Sequence, residues 1–196
     1  MDKEEDVKRK YGCKRSPHND DELKMSQLLL DKAPADLLDY PTYLNLENEY
    51  SFRMKNQENQ GSCVAMSTSV LAESFLKDKS KELSPAFLYW QARIYDNDEQ
   101  EDTGACIKNA MKALKEYGIC EESYMPYDAH IWDKEPSKEA YSNAQAYRVN
   151  QYINIDNGIS GIKSYLYTKK KPVVFGMEVY RAVSYTHLTL PTICSV

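Results

Sequence analysis

One cysteine stands where the sequence can support thiol chemistry. Cys63 follows Gly61 and Ser62 and precedes a stretch of helical apolar periodicity, so a glycine-containing turn enters an amphipathic helix at this residue. The free N–H groups and the positive dipole end of a helix start stabilise a thiolate and can bind an oxyanion beside the sulfur. Gln57, six residues earlier, can bring a side-chain amide to the same oxyanion. The pattern predicts a nucleophilic thiol, and a buried structural cysteine is the alternative.

Three helices are predicted to position this cysteine. The first begins near Cys63 and runs for about 15 residues, with apolar residues recurring on one face. The second begins at Ser84-Pro85, because serine is a favoured N-cap and proline is tolerated at the first helical position. The third spans residues 105–117, and Gly118 is typical of the left-handed residue that ends a helix.

The sequence outside these helices lacks their helical periodicity. Residues 1–18 are charged and unpatterned and predict a loose arm, which a short capped helix follows from Asn19 onward. Residues 132–142 hold a proline and charges and predict a connector. Alternating apolar residues in 147–155 and the β-rich run 173–180 predict strands. The chain is therefore predicted to be helical first and to turn to β structure later.

Composition and charge exclude several classes of protein. The chain has 196 residues, 42% hydrophobic and 28% charged, which is typical of one globular domain or of two small lobes. The net charge of −5 has the wrong sign for a nucleic-acid surface, and no apolar run approaches the ~20 residues of a membrane span. Five cysteines without CxxC spacing do not fit a zinc site or a complete disulfide framework. The acidic run 96–102 predicts a solvated loop.

These observations set the expected partners. From the charge and the lack of an apolar span we expect no nucleic-acid partner and no membrane partner. We expect no metal and no organic cofactor, because thiol chemistry needs neither. The first ten residues lack the apolar core of a secretory signal, so a cytoplasmic location is the default expectation and the compartment stays open. The oligomeric state also stays open.

The segment around Cys63 resembles the active-site segment of papain-like cysteine peptidases. The signature of that family places a glutamine and then Gly-Ser ahead of the nucleophile, and Gln57, Gly61, Ser62 and Cys63 match it. Gln60 stands where most members have a disulfide-forming cysteine, which is typical of a bacterial or intracellular type. The resemblance implies that Cys63 is the catalytic nucleophile and Gln57 a catalytic oxyanion donor, with Gly61 and Ser62 beside the substrate.

Further segments match the family in the same order along the chain. Residues 83–89 resemble its Leu-Ser helix start, and residues 102–105 resemble its Gly-Gly segment, with Gly104 and Ala105 at the two glycine positions. In the family this backbone binds the substrate as an extended strand. Residues 171–177 resemble the strand that opens the second, β-rich lobe.

The resemblance implies an α+β, papain-like two-lobe fold. We expect an N-terminal arm and short helix in residues 1–39, a complete helical lobe with the nucleophile in 40–130, and the start of a β-barrel lobe in 131–182. Residues 183–196 resemble a tail that recurs on unrelated truncated reading frames, and we expect them not to be native. The β-barrel lobe would then be incomplete.

The catalytic histidine and asparagine segments of the family are missing from the sequence. In the family they lie roughly 130 to 150 residues after the nucleophile. The chain has three histidines, His18, His130 and His187, and none stands in the family's sequence context. We therefore expect a chain truncated before these segments, whose thiolate lacks its imidazolium partner and turns over little or no substrate.

The leading expectation is thiol-dependent hydrolysis of peptide bonds in a peptide or protein substrate. Two alternatives stay open. One is an inert papain-like domain that binds extended peptides without turnover, and the other is a relative that transfers acyl groups, since the first half-reaction is the same. A helical domain with a chance motif fits less well, because several segments match in family order. Side-chain specificity and endo- or exopeptidase action are not fixed by the sequence.

Overall fold

The computed structural model describes residues 10–17, 23–28, 41–50, 52–156 and 158–177. In these ranges helices are the main regular structure. The elements are β1 (Cys13–Lys14), α1 (Met25–Leu28), α2 (Cys63–Ser74), α3 (Pro85–Ile94), β2 (Ala105–Cys106), α4 (Ile107–Glu116), α5 (Lys138–Ala144) and α6 (Gly158–Lys169), with single 3₁₀ turns at Glu122–Tyr124 and Gln145–Tyr147.

The hydrophobic core lies between α2, α3 and α4, which pack on one another. The three helices bury one apolar cluster, which consists of Val64, Ala65, Leu83, Leu88, Tyr89, Ala92, Ala105, Ala110, Ala113, Leu114 and Ile119. A second cluster around Phe87 joins α3 to α5. The helical lobe predicted from the sequence is thus built around the helix that carries Cys63.

The predicted helix signals are confirmed at their local sites. The Ser84 side chain caps α3 by accepting a hydrogen bond from the Phe87 N–H at 3.1 Å, with Pro85 at the first helical position. Gly118 follows α4 with φ of +85°, and a Cβ there would lie 2.0 Å from the Ala144 carbonyl oxygen. Only glycine fits this position, because a side chain would meet both the backbone strain and the neighbouring carbonyl.

The arm differs from its prediction. Residues 10–17 do not form a loose segment, because β1 pairs in parallel with β2 in the register Cys13 to Ala105 and Lys14 to Cys106. The charged sequence carries no periodic signal for this pairing, because the arm is bound through its backbone groups and lysine ammonium groups rather than through an apolar face. The third helix consequently begins at Ile107, two residues later than predicted, because Ala105 and Cys106 are held by the arm.

The predicted strands of the second half are wrong in the described residues. Within 147–155 the β pairing is a single bridge, from Asn154 to Lys24, and residues 173–177 form no strand. A strand needs a partner for its N–H and C=O groups, and the described chain offers none to 173–177. The predicted connector also contains α5, whose N-cap Ser137 accepts a bond from the Ala140 N–H at 3.2 Å.

Several predictions fall outside the described residues. His18, His187, Cys194 and the segment 183–196 are among them. The domain bounds inferred from the sequence stay predictions. No helix in the described part of the chain is long and apolar enough to cross a membrane.

A buried ion pair joins the segment before Cys63 to the entry of α3. Lys55 Nζ lies 2.8 Å from Glu73 Oε1, and both side chains are largely buried. The same two side chains hold the backbone of Leu83, because its N–H donates to Glu73 at 2.7 Å and its carbonyl accepts from Lys55 at 2.7 Å. The pair therefore fixes the end of α2 against the start of α3.

Glu73→Ala should destabilise the chain strongly. The substitution leaves the buried Lys55 ammonium without its anionic partner and the Leu83 N–H without its acceptor. Breaking a buried pair in this way costs about 3–5 kcal/mol. The free energy of unfolding, measured by denaturant titration, checks this. Lys81→Ala is the control, because it removes an ion pair with Glu121 whose lysine is exposed, and it should lower the stability much less. Equal losses in the two variants would contradict the role of the buried pair.

Candidate active site

Cys63 is the first residue of α2 and is half-buried. Ser62 is the N-cap residue, but its side chain makes no capping hydrogen bond to the helix. The first N–H groups of α2 have no partner inside the helix, as at every helix start. The sulfur therefore stands beside backbone donors that can hold a negatively charged oxygen, as the sequence predicts.

The turn before Cys63 is held by Tyr127. The Tyr127 hydroxyl lies 2.7 Å from the Ser62 hydroxyl and donates to the Gln57 carbonyl oxygen at 3.0 Å. Burial raises the pKa of Tyr127 to about 12, so the phenol keeps its proton and remains a donor at neutral pH. The sequence patterns assign no role to this residue.

The predicted oxyanion donor points at two carbonyl groups. Gln57 Nε2 donates to the carbonyl oxygen of Gln60 at 2.9 Å and to that of Lys10 at 2.8 Å. Both N–H bonds of the amide are thereby used. One of the two acceptors belongs to the arm, so the orientation of Gln57 depends on the arm being in place.

The predicted substrate-binding backbone is assembled beside Cys63, and the arm lies on it. Gly61 and Gly104 face each other closely, since a Cβ on Gly61 would lie 3.4 Å from the Gly104 nitrogen. Gly12 contacts both. A Cβ on Gly12 would lie 1.8 Å from the Gly61 carbonyl oxygen, and a Cβ on Gly104 would lie 2.0 Å from the Gly12 carbonyl oxygen. The Ala105 N–H donates to the Gly12 carbonyl at 2.8 Å. The structure thus brings together Gly61, Ser62, Cys63, Gly104 and Ala105.

Two lysines of the arm bind the acidic loop that was predicted to be merely solvated. Lys10 Nζ lies 2.8 Å from Asp102 Oδ2. Lys14 Nζ lies 2.7 Å from Asp98 Oδ2, 3.4 Å from Asp96 Oδ2 and 3.0 Å from the Thr103 hydroxyl. The arm is therefore held by charge as well as by backbone pairing.

Two carboxyl groups of this loop, those of Asp98 and Asp102, have lowered pKa values in the folded chain. Hydrogen bonds from Lys14 and Thr103 lower the pKa of Asp98. Burial by itself would raise the pKa of Asp102, but hydrogen bonds from Lys10, Tyr89 and Gly61 outweigh it and the pKa is lowered. A lowered carboxyl pKa means that these contacts stabilise the fold above the ordinary carboxyl pKa and are lost as the pH falls through the lowered value.

An apolar groove opens next to Cys63. Its lining includes Met66 and Val70 of α2, together with Phe52, Val173 and Phe175. The segment that resembles the first strand of the β-rich lobe therefore lines the same groove as the helix that carries the nucleophile. The groove can accept an apolar side chain beside the sulfur.

No general base was found beside Cys63 in the described residues. The one histidine among them, His130, is exposed, and its backbone N–H donates to Asp128 at 2.8 Å. The described residues also contain no cluster of histidine, cysteine and carboxylate side chains that can hold a metal ion. The described part of the site supplies a thiol, helix-start N–H groups and a strand edge.

The thiols differ in their surroundings. Cys106 and Cys120 are buried, and burial raises the pKa of Cys120 to about 12. Cys13 is exposed on the arm, but partial burial of its sulfur, together with the nearby thiols of Cys63 and Cys106, raises its pKa. All four are free thiols.

The comparisons with known proteins agree with this geometry. A family model described as papain family cysteine protease matches residues 41–191. An uncharacterised peptidase C1-like protein of Acanthamoeba polyphaga mimivirus is 30% identical over 139 residues, which are 65% of this chain and 44% of that protein.

Solved structures show the same fold. Xylellain, a cysteine protease from Xylella fastidiosa, superimposes with a TM-score of 0.69 at 21% identity, over 80% of this chain and 62% of that one. Digestive procathepsin L 3 of Tenebrio molitor superimposes with a TM-score of 0.56 at 19% identity. The superposition covers 83% of this chain and 48% of that one. The expected α+β, papain-like fold is confirmed. The chain spans less than half the length of the mimivirus relative and 62% of xylellain.

The cysteines of the folded chain should alkylate in a fixed order. With iodoacetamide at pH 7, Cys63 should react first and Cys13 more slowly. Cys106 and Cys120 should stay unmodified, because both thiols are buried and out of reach of the reagent. Mass spectrometry of the digested chain gives the order. In guanidinium chloride the difference should disappear. Modification of Cys120 at the rate of Cys63 in the folded chain would contradict the structure.

Proposed function

This chain belongs to the papain family of cysteine proteases, and we propose that its Cys63 attacks the carbonyl carbon of a peptide bond in a peptide or protein substrate. The observation that carries the proposal is the position of this thiol at the start of α2, beside a strand edge that already binds an extended peptide segment. The segment is the arm, whose backbone pairs with β2.

The chemistry follows from the groups around the sulfur. The thiolate of Cys63 forms a bond to the carbonyl carbon, and the carbonyl oxygen becomes an oxyanion that the helix-start N–H groups stabilise. The C–N bond then breaks, the amine leaves with a proton, and water hydrolyses the thioester to release the acid and the thiol. The general acid and base of these proton transfers are not assigned to any described residue.

Gln57 is proposed as the second oxyanion donor once the arm has moved. One of its N–H groups is bound to the Lys10 carbonyl, and departure of the arm frees that donor. The other stays on the Gln60 carbonyl and keeps the amide next to the turn. The arm thus controls both the strand edge and one donor of the oxyanion site.

Substrate binding is proposed to use the same backbone groups as the arm. The Ala105 N–H, which binds the Gly12 carbonyl, is the natural partner for a carbonyl of an incoming peptide. The arm and a peptide cannot share that donor, so the arm has to leave the strand edge before a substrate binds there.

Peptide binding without hydrolysis is the second candidate function. The pairing of the arm with β2 supports it, because the arm is itself an extended segment on this edge. Turnover separates the two candidates. A fluorogenic peptide library that is cleaved by the chain and left intact by Cys63→Ser supports the protease, whereas binding without cleavage supports the second candidate.

Active-site labelling tests the nucleophile. A peptide that carries an epoxide warhead should modify Cys63 selectively over the other four cysteines. Cys63 is a partly exposed thiol at a helix start, whereas Cys106 and Cys120 are buried and Cys13 has a raised pKa. Peptide mapping by mass spectrometry identifies the modified residue, and free peptide without the epoxide should slow the reaction. Cys63→Ser is expected to take up no label. Uniform labelling of all the cysteines, or none of Cys63, would refute the proposal.

Gly12→Ala should speed this labelling severalfold. A Cβ at position 12 would lie 1.8 Å from the Gly61 carbonyl oxygen, so the arm cannot stay on the strand edge. The control is Arg15→Ala, which removes an exposed side chain from the same arm and should leave the rate unchanged. Rate constants of epoxide labelling measure the effect. If Gly12→Ala is labelled at the rate of the unmodified chain, the arm does not block the edge.

A further inference from the structure

Two side chains outside the predicted site connect the backbone on its two sides. Asp102 Oδ1 accepts hydrogen bonds from the Gly61 N–H at 2.9 Å and from the Tyr89 hydroxyl at 2.5 Å. The oxygen of the same Tyr89 hydroxyl accepts from the Gly104 N–H at 3.0 Å. A continuous chain of hydrogen bonds therefore runs from Gly104 through Tyr89 and Asp102 to Gly61. We call it the Tyr89–Asp102 link.

We propose that Asp102 and Tyr89 are positioning residues, which hold the turn before Cys63 and the peptide-binding strand edge at the spacing that attack on a bound peptide requires. This inference rests on the proposed function of Cys63 as a nucleophile for peptides. It assigns a role to two residues that hydrogen-bond to Gly61 and Gly104, and not to the sulfur or to the Ala105 N–H. Their effect passes through the backbone of Gly61 and Gly104.

The link joins the turn before Cys63 to the strand edge, and the spacing of these two backbone segments sets the distance between the sulfur and a bound peptide. Gly61 lies two residues before the nucleophile, and Gly104 lies one residue before the N–H that binds an extended chain. A misplacement of about 1 Å between reacting groups can cost on the order of a hundredfold in rate. Hydrogen bonds that fix the distance between the two segments therefore also fix the distance between the sulfur and the bound peptide.

The protonation states suit a permanent link. Tyr89 is buried, and this burial, together with its hydrogen bond to Asp102, raises the pKa of the phenol well above its ordinary value. Asp102 has a lowered pKa and is ionised. A protonated phenol that donates to an ionised carboxylate forms a short, charge-assisted bond, which is among the stronger hydrogen bonds in proteins.

The two glycines that the link connects lie in buried surroundings. Gly61 and Gly104 are buried, so an N–H that loses its acceptor there would stay unsatisfied. A Cβ on Gly61 would lie 3.0 Å from Asp102 Oδ1 and 3.3 Å from the Tyr89 hydroxyl. The absence of a side chain at position 61 is what allows the carboxylate to approach the turn. Loss of either link residue should therefore shift the backbone.

Tyr89→Phe is the most direct test, because it removes one hydroxyl and leaves the aromatic ring in the core. It is preferable to Asp102→Asn as the kinetic variant, since Asp102 also binds Lys10 and its substitution would loosen the arm as well. The matched control is Tyr95→Phe. Tyr95 also donates to a carboxylate, Glu116 Oε2 at 2.6 Å, but away from the strand edge.

Two kinetic readouts separate positioning from a loss of stability. For Tyr89→Phe we expect labelling of Cys63 by the peptide epoxide to slow by up to about tenfold, the equivalent of one hydrogen bond. Alkylation of Cys63 by iodoacetamide, which needs no peptide-binding edge, should keep its rate. Tyr95→Phe should leave both rates unchanged, although it should shift the melting temperature by about as much as Tyr89→Phe does. Parallel losses of both rates in Tyr89→Phe, or no loss at all, would overturn the positioning role.

A structural readout keeps this test separate from the test of the proposed function. With ¹⁵N-glycine labelling the chain gives signals from only its seven glycines. The Gly61 and Gly104 amides should be protected from hydrogen exchange, Tyr89→Phe should expose Gly104, and Asp102→Asn should weaken the protection of Gly61. Unprotected amides in the unmodified chain would overturn the link. If the epoxide does not label Cys63 selectively, the proposed function fails. The positioning role is then decided by hydrogen exchange alone, through the loss of protection at the Gly104 amide in Tyr89→Phe.

Discussion

The close approach of three backbone segments beside Cys63 is the constraint on which the rest of the site depends. Gly12, Gly61 and Gly104 lie so near one another that a Cβ on the first or the third would overlap a neighbouring carbonyl. Such contacts are possible only for glycine, and they bring main-chain donors and acceptors within reach of each other. The sulfur, the strand edge and the arm are all arranged around this contact.

The helical core serves to hold that contact. The cluster between α2, α3 and α4 sets where α2 begins, and α3 supplies Tyr89, whose hydroxyl reaches the strand edge. The Lys55–Glu73 pair and the Tyr127 hydroxyl fix the chain on the other side of the turn. Polar side chains thus determine the fine spacing of backbone segments that the apolar core brings together.

The sequence predicts well what depends on neighbouring residues. The start of α2 at Cys63, the cap at Ser84 and the end of α4 at Gly118 are local signals, and the structure has all three. Resemblance to the family added the strand edge at Gly104 and Ala105, which periodicity alone does not reveal. It also marked Gln60 as unusual, and this residue is buried with its amide directed at the Asp128 carbonyl, 3.4 Å away.

What the sequence did not predict are contacts between distant segments. The pairing of the arm with β2 joins residues about ninety positions apart and leaves no trace in periodicity, because backbone groups and lysine ends make it. The Tyr89–Asp102 link joins residues that look like an ordinary core tyrosine and one member of an acidic run. The strand expected at 173–180 is absent from its described part, 173–177, for the same reason, since β structure depends on a partner that sequence patterns do not specify.

We propose that Cys63 attacks a peptide held on the strand edge that the arm covers. The most direct measurement is a crystal structure of the chain after reaction with a peptide epoxide. We expect a covalent bond to Cys63 Sγ, with a peptide carbonyl on the Ala105 N–H in place of that of Gly12. A bond to another cysteine, or a peptide bound elsewhere while the arm stays paired with β2, would contradict it.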